Sequence, residues 1–226
     1  MRGGWRLRRL RCVERRSPGH GVLALPADLT SAGDITKMVS VTFEAFRRID
    51  ILVNNAGGPP VATFSELDDA VWKQGVELTL MSTIRCIRAV LPHMVRQRWG
   101  RIVNITSIAA RQPINDLIIS STLRPGILGL SKVVANHYGK DGILINNVAP
   151  GFILTDRQKA ISAARAAKRG IPVEQYIDEL ARDVPVQRLG DPSELANVIV
   201  FLASERASYM TGSTIGVDGG LSKGLL

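Results

Sequence analysis

Gly100–Lys132, GRIVNITSIAARQPINDLIISSTLRPGILGLSK, is the stretch around which the rest of the chain is organised. Gly100 and Arg101 lead into Ile102-Val103-Asn104-Ile105, a short apolar run that predicts a buried strand. A Ser-containing turn and a loop follow. Ile127, Leu128, Leu130, Val133 and Val134 then recur at helical spacing and mark an apolar helix that ends near Gly139 or Gly142. A strand, a turn and a helix in this order place chemistry just past the carboxyl end of the strand.

The flanking sequence repeats the alternation. Gly21–Asp28, GVLALPAD, is an apolar run ending in an acid, with Val22–Asp28 expected as a strand. Thr30 and Asp34 flank the start of a helical pattern over Ile35–Phe46, and Ile49–Val53 reads as a second strand with its entry. It empties into Asn54-Asn55-Ala56-Gly57-Gly58-Pro59-Pro60, a strong turn signal. Val71, Trp72, Val76, Leu80, Ile84, Ile87, Val90 and Leu91 give a long helical region over Asp68–Arg96. Ile143–Val148 is a strand closed by Ala149-Pro150-Gly151, and helical segments follow over Asp156–Lys168 and Val173–Asp183. Asp191-Pro192-Ser193-Glu194 opens a last helix with Asp as cap, Pro in the first turn and Glu three residues on. Thr214–Val217 is the final strand. Apolar strands alternating with helices predict an α/β fold, one doubly wound parallel sheet covered on both faces.

At 226 residues the chain has room for one domain with a substantial core. The basic segment 1–20 is set apart from a domain over 21–226. Met1–Arg16 contributes +6 of the net +9, so the basic character belongs to the start of the chain and not to the domain. That start reads as a solvated helix face, with an organellar presequence or a basic arm for an anionic polymer as the other readings. Cys12 and Cys86 give neither a disulfide framework nor metal-ligand spacing, so no metal and a reducing, cytoplasmic compartment are expected. No apolar run approaches the length of a bilayer span.

From about Val22 to Gly220 the chain resembles a short-chain dehydrogenase/reductase of the 3-oxoacyl-acyl-carrier-protein reductase-like kind. The motifs occur in order: Asp28, Asn55-Ala56-Gly57, Ser107, Pro150-Gly151 with Thr155, Arg188-Leu189-Gly190 with Pro192 and Glu194, and Val217-Asp218-Gly219-Gly220. The resemblance implies a Rossmann-like domain binding NAD or NADP. Asp28, Asn55, Ala56, Gly57, Pro150, Gly151, Ile153 and Thr155 would border the cofactor, and Ser107 would be the active-site serine. It also implies a small-molecule carbonyl or alcohol substrate and a homodimer or homotetramer, with neither nucleic acid nor membrane as partner. Asp156–Asp183 would cover the substrate.

Two departures stand against that pattern. The family's tyrosine lies thirteen residues after the serine and its lysine four further on; these positions hold Ser120 and Arg124, and the family's asparagine position falls near Thr79. A phenol ionises near about 10, within tuning range of neutrality, whereas an alkyl hydroxyl does not. Arg124 stays cationic and takes no part in proton transfer. Pro125-Gly126 allows the helix to begin there, capped by Ser121 or Thr122, which would take Ser120 and Arg124 off a common face. In addition, no Gly-rich strand-to-helix turn precedes Asp28, so the domain is expected to lack its first βαβ unit and to be truncated. Pairing of Val22–Asp28 directly with Ile51–Asn54 would contradict that expectation. The candidate catalytic set is Ser107, Ser120 and Arg124. The function expected is oxidoreductase, with a catalytically impaired homologue serving as a binding or oligomer partner as the alternative.

Overall fold

The apolar runs pair as parallel strands, and the two central ones are buried on both sides. The computed structural model describes residues 21–224; the basic segment 1–20 lies outside them. The elements are α1 (Ala32–Phe46), β1 (Ile51–Asn54), α2 (Asp69–Gly75), α3 (Ser82–Gln97), β2 (Gly100–Ile105), α4 (Ile118–Tyr138), β3 (Ile143–Pro150), α5 (Asp156–Arg169), α6 (Val173–Asp183), α7 (Pro192–Leu202) and β4 (Thr214–Val217). The strands form one parallel sheet in the order β1-β2-β3-β4. Ile102 and Ile145 pack with Val39 of α1, Ile87, Val90 and Met94 of α3, and Val134 of α4 on one face. Val103 and Val148 pack with Leu202, Leu195 and Ile199 of α7 on the other. This is a Rossmann-like α/β arrangement.

Side-chain hydrogen bonds reinforce the sheet one layer below its carboxyl edge. Asn54, Asn104, Asn147 and Thr214 occupy successive paired positions on the four strands. Asn54 Nδ2 donates to Asn104 Oδ1 at 2.8 Å, Asn104 Nδ2 to Asn147 Oδ1 at 3.1 Å, and Asn147 Nδ2 to Thr214 Oγ1 at 3.2 Å. Ser131 of α4 joins from above, accepting from Asn104 Nδ2 at 3.0 Å and donating to Asn147 Oδ1 at 2.7 Å. A buried polar network is favourable only when every member is satisfied. Asn104→Leu is therefore expected to lower the unfolding free energy by about 2–3 kcal/mol, because it strands the Asn54 amide. Urea denaturation followed by circular dichroism measures it.

Two expectations are corrected. Val22–Asp28 forms no strand and pairs with neither β1 nor any other described strand. A strand is held by its neighbour's hydrogen bonds, and the run finds none; Val22 is 62% exposed and Leu23 40%. The bare side of β1 shows in Ile51 and Val53, which are 47% and 41% exposed because no described helix covers that part of the α7 face. The second correction concerns Pro125, which does not start a helix. α4 begins at Ile118 and runs through it to Tyr138. Ile119, Ser120, Ile127, Ser131 and Val134 bury one side of α4, whereas Pro125 and Gly126 lie on its exposed side. Packing of the buried face outweighs the lost donor, and the freed carbonyl of Ser121 sits on the exposed part of the turn.

The long helical region over Asp68–Arg96 is also more structured than periodicity indicates. Between α2 and α3 the chain makes a π-helical segment, Val76–Met81. Such segments are frequent at functional sites. Here it faces α4, and Gly75 lies so close to Ile119 that an added Cβ would stand 2.6 Å from Ile119 Cγ2. The capping box of α7 forms as the sequence predicts: Asp191 Oδ1 accepts from Ser193 N at 2.8 Å, and Glu194 Oε2 from Asp191 N at 2.7 Å.

Candidate active site

The site lies where β2 ends. Ser107 follows the strand by two residues and caps a short 3-10 turn, Ile108–Ala110, its Oγ accepting from Ala109 N at 3.1 Å. Half-buried, it keeps its own hydroxyl hydrogen free of that bond. α4 passes over the same strand end. Because the helix is unbroken, Ser120 and Arg124 are four residues apart on one face. Arg124 Nη1 donates to the carbonyls of Ile105 at 3.1 Å and Thr106 at 2.8 Å, the two residues before Ser107. Its Nε is buried without a hydrogen-bond partner among the described residues. Burial, and after it the charge of Arg157, pushes the Arg124 guanidinium down to about 10, which leaves it cationic at neutral pH.

Ser120 is buried, and its hydroxyl makes no hydrogen bond to a described residue. Thr79 lies within the π-helical segment with its Oγ1 also buried and unpartnered among the described residues. The structure thus brings Ser107 and Arg124 to one strand end and puts Ser120 on the same helical face as Arg124.

The positions expected to border a cofactor have structural work of their own. Asp28 Oδ1 accepts from Thr30 N at 2.9 Å and Thr30 Oγ1 at 2.7 Å; these bonds hold its carboxyl below the usual range. Asn55, Ala56 and Gly57 form the turn after β1, where a side chain at Gly57 would only touch Leu78, at 4.0 Å. Pro150 ends β3, and Gly151 packs against Asp218 so closely that an added Cβ would stand 2.8 Å from its Cα. Ile153 is buried and bridges to Gly190. Thr155 caps α5, its Oγ1 accepting from Gln158 N at 3.2 Å. The turns after β1, β2 and β3 therefore share the carboxyl edge of the sheet.

A cavity of about 830 Å³ opens beside them, between α5, α2 and residues Gly57–Thr63. Ser107, Ser120 and Arg124 do not line it. Arg157, the second residue of α5, lines the cavity and its charge acts on Arg124; the sequence does not single it out. One basic residue in a helix rich in Ala, Arg and Lys carries no mark of its own. Among the described residues no cluster of His, Cys, Asp and Glu could hold a metal, and no helix is long and apolar enough to cross a membrane.

A parallel, doubly wound sheet with its polar constellation at the carboxyl edge defines an α/β protein of the dinucleotide-fold class. A family model described as Enoyl-(Acyl carrier protein) reductase matches residues 7–222. The chain is 31% identical over 208 residues to the 3-oxoacyl-[acyl-carrier-protein] reductase FabG of Staphylococcus epidermidis, covering 92% of this chain and 81% of the relative. Among solved structures it is similar to L-sorbose reductase from Gluconobacter frateurii, complexed with NADPH and L-sorbose (34% identity, TM-score 0.84, 88% of this chain and 76% of that one). It is also similar to an NADPH-bound short-chain oxidoreductase of Pseudomonas aeruginosa PAO1 containing an atypical catalytic centre (32% identity, TM-score 0.78, 88% and 75%). The chain belongs to the short-chain dehydrogenase/reductase family, with 3-oxoacyl-acyl-carrier-protein reductases among its relatives.

Proposed function

We propose that this protein is a nicotinamide-dinucleotide-dependent reductase of a small-molecule carbonyl, in which a serine–arginine pair stands where the family has tyrosine and lysine. The observation that carries the reading is Arg124 Nη1 on the Ile105 and Thr106 carbonyls, which ties the cation to the strand end that presents Ser107.

The described residues fit the nicotinamide end of such a cofactor. Gly57 and Gly151 keep the turns after β1 and β3 low, and Asp28 remains for the adenine end. No Gly-rich strand-to-helix turn for the pyrophosphate occurs among the described residues. When bound, the cofactor supplies the hydride. Ser107 Oγ, already accepting from Ala109 N, points its hydrogen at the substrate oxygen and stabilises the negative charge that grows there. Arg124 adds a fixed positive charge at the same place. Ser120 and water are comparably weak acids, so the proton that quenches the developing alkoxide is drawn from bulk solvent through water ordered beside the hydroxyls of Ser120 and Thr79, and no hydroxide is left in the site.

The assembly proposed is a homodimer or homotetramer, supported by exposed apolar side chains on α4 and near α7: Val133, Val200, Phe201 and Tyr209. The second reading, an impaired homologue kept as a partner, is favoured by one observation, the Ser120 hydroxyl with no partner. Isothermal titration of NADH and NADPH against the full chain separates the two. Binding in the micromolar range with turnover on a β-ketoacyl thioester or a small ketone is the expected result. No binding of either at millimolar concentration overturns the reductase.

A further inference from the structure

The cavity beside Arg157 has a charge imbalance that a ligand would correct. Five charged side chains reach it: Arg157, Arg165, Lys168, Glu66 and Asp116. Four of these are accounted for. Asp116 is paired with Arg165. The Glu66 carboxylate accepts from Thr63 N at 2.7 Å and Thr63 Oγ1 at 2.8 Å, and Lys168 lies close enough to help hold it ionised. Neither Lys168 nor Arg157 has a carboxylate within ion-pair distance among the described residues, but Lys168 has Glu66 nearby, whereas no carboxylate on the cavity wall is left for Arg157. Its one side-chain hydrogen bond is from Nη2 to the Pro59 carbonyl, at 2.8 Å. A guanidinium carries five N–H donors, so most of its fork is unused.

Its surroundings add to the imbalance. Arg157 is an exposed residue whose guanidinium lies against Gly58 and Pro59, and partial desolvation there lowers its pKa. The same charge adds to the burial that depresses Arg124, and neither guanidinium has an ion-pair partner among the described residues. Gly58 makes the room: a Cβ there would stand 2.7 Å from Arg157 Nη2. Apolar side chains make up much of the rest of the lining, among them Val61, Val71, Leu78 and, one turn along α5 from Arg157, Ile161.

We propose that this cavity is a binding site for an apolar carboxylate. The carboxylate takes the free edge of Arg157, for which planar two-oxygen geometry is the natural match. The hydrocarbon body lies on the apolar wall. A monoanion balances the net charge of the lining, three cations against two carboxylates, and the volume of about 830 Å³ suits a molecule of fatty-acid or aryl-acid size. As the substrate's own subsite, a step that rests on the reductase reading above, it selects an oxo acid with a free carboxylate over a neutral thioester.

The test is calorimetric titration of the full chain, without cofactor, with butanoate, octanoate and 3-phenylpropanoate, each against its amide. At least one acid is expected to bind about ten-fold or more tightly than its amide. Arg157→Met is expected to remove that preference while leaving the melting temperature and amide binding unchanged. Gly58→Ala, which displaces only the flexible end of Arg157, is expected to weaken the acid in the same direction. Acids and amides binding alike, no acid binding, or an unaltered preference in Arg157→Met overturns the proposal. Carboxylate binding in a chain that fails to bind NADPH leaves this site standing and removes only the reductase.

Discussion

Ser107→Ala is expected to lower kcat/KM for carbonyl reduction by about 10²–10³-fold, the loss typical of one preorganised donor at a developing oxyanion. Ser120→Ala is expected to cost less, about tenfold, because Thr79 still orders the relay water. The contrast follows from what each hydroxyl touches. Ser107 Oγ is fixed by Ala109 N, so it has one defined direction left in which to donate. Ser120 is buried without a partner, and an alkyl hydroxyl gains little acidity from that position. Replacing Ser107 also removes the cap of the Ile108–Ala110 turn, at a stability cost of about 1 kcal/mol. A thermal melt beside the kinetics separates this cost from the catalytic loss. Steady-state assays in which Ser120→Ala falls as far as Ser107→Ala would reassign the donor.

The parts of this site visible in the sequence are those set by local chemistry and chain spacing. Ser107, Ser120 and Arg124 fall at a strand end and on the following helix by counting alone, and the Asp191–Glu194 cap is a local motif. What failed depends on neighbours. Val22–Asp28 has strand composition, but composition supplies only half of each hydrogen bond, and no described strand supplies the rest. Pro125 signals a helix start by its own stereochemistry; burial of Ile119, Ile127 and Ser131 on the opposite side overrides it. The ladder of three asparagines and Thr214 across the four strands was invisible because register, not sequence distance, brings its members together. Arg157 was missed because its significance is the absence of a partner, which only the packed fold can show.

Arg124→Met is expected to move activity and stability in opposite directions, and this separates a working residue from a structural one. Turnover should fall by about 10²-fold, since the variant loses both the positive charge near the substrate oxygen and the tie to the Ile105 and Thr106 carbonyls. Stability should hold or rise by up to about 2 kcal/mol. Arg124 has a buried Nε without a partner, no carboxylate to balance it, and Arg157 as its nearest charge. Removing a poorly compensated charge in favour of an apolar side chain of similar length is commonly neutral or stabilising. Two carbonyls lose a donor at about 1 kcal/mol each, which limits the gain. Arg124→Lys keeps the charge but not the fork, so it should recover part of the turnover and gain less stability than Arg124→Met. Urea titrations and kcat for the three proteins decide the matter. A large fall in stability for Arg124→Met, with turnover lost only in proportion to unfolding, would make Arg124 a strut for the strand end and would withdraw it from the catalytic set.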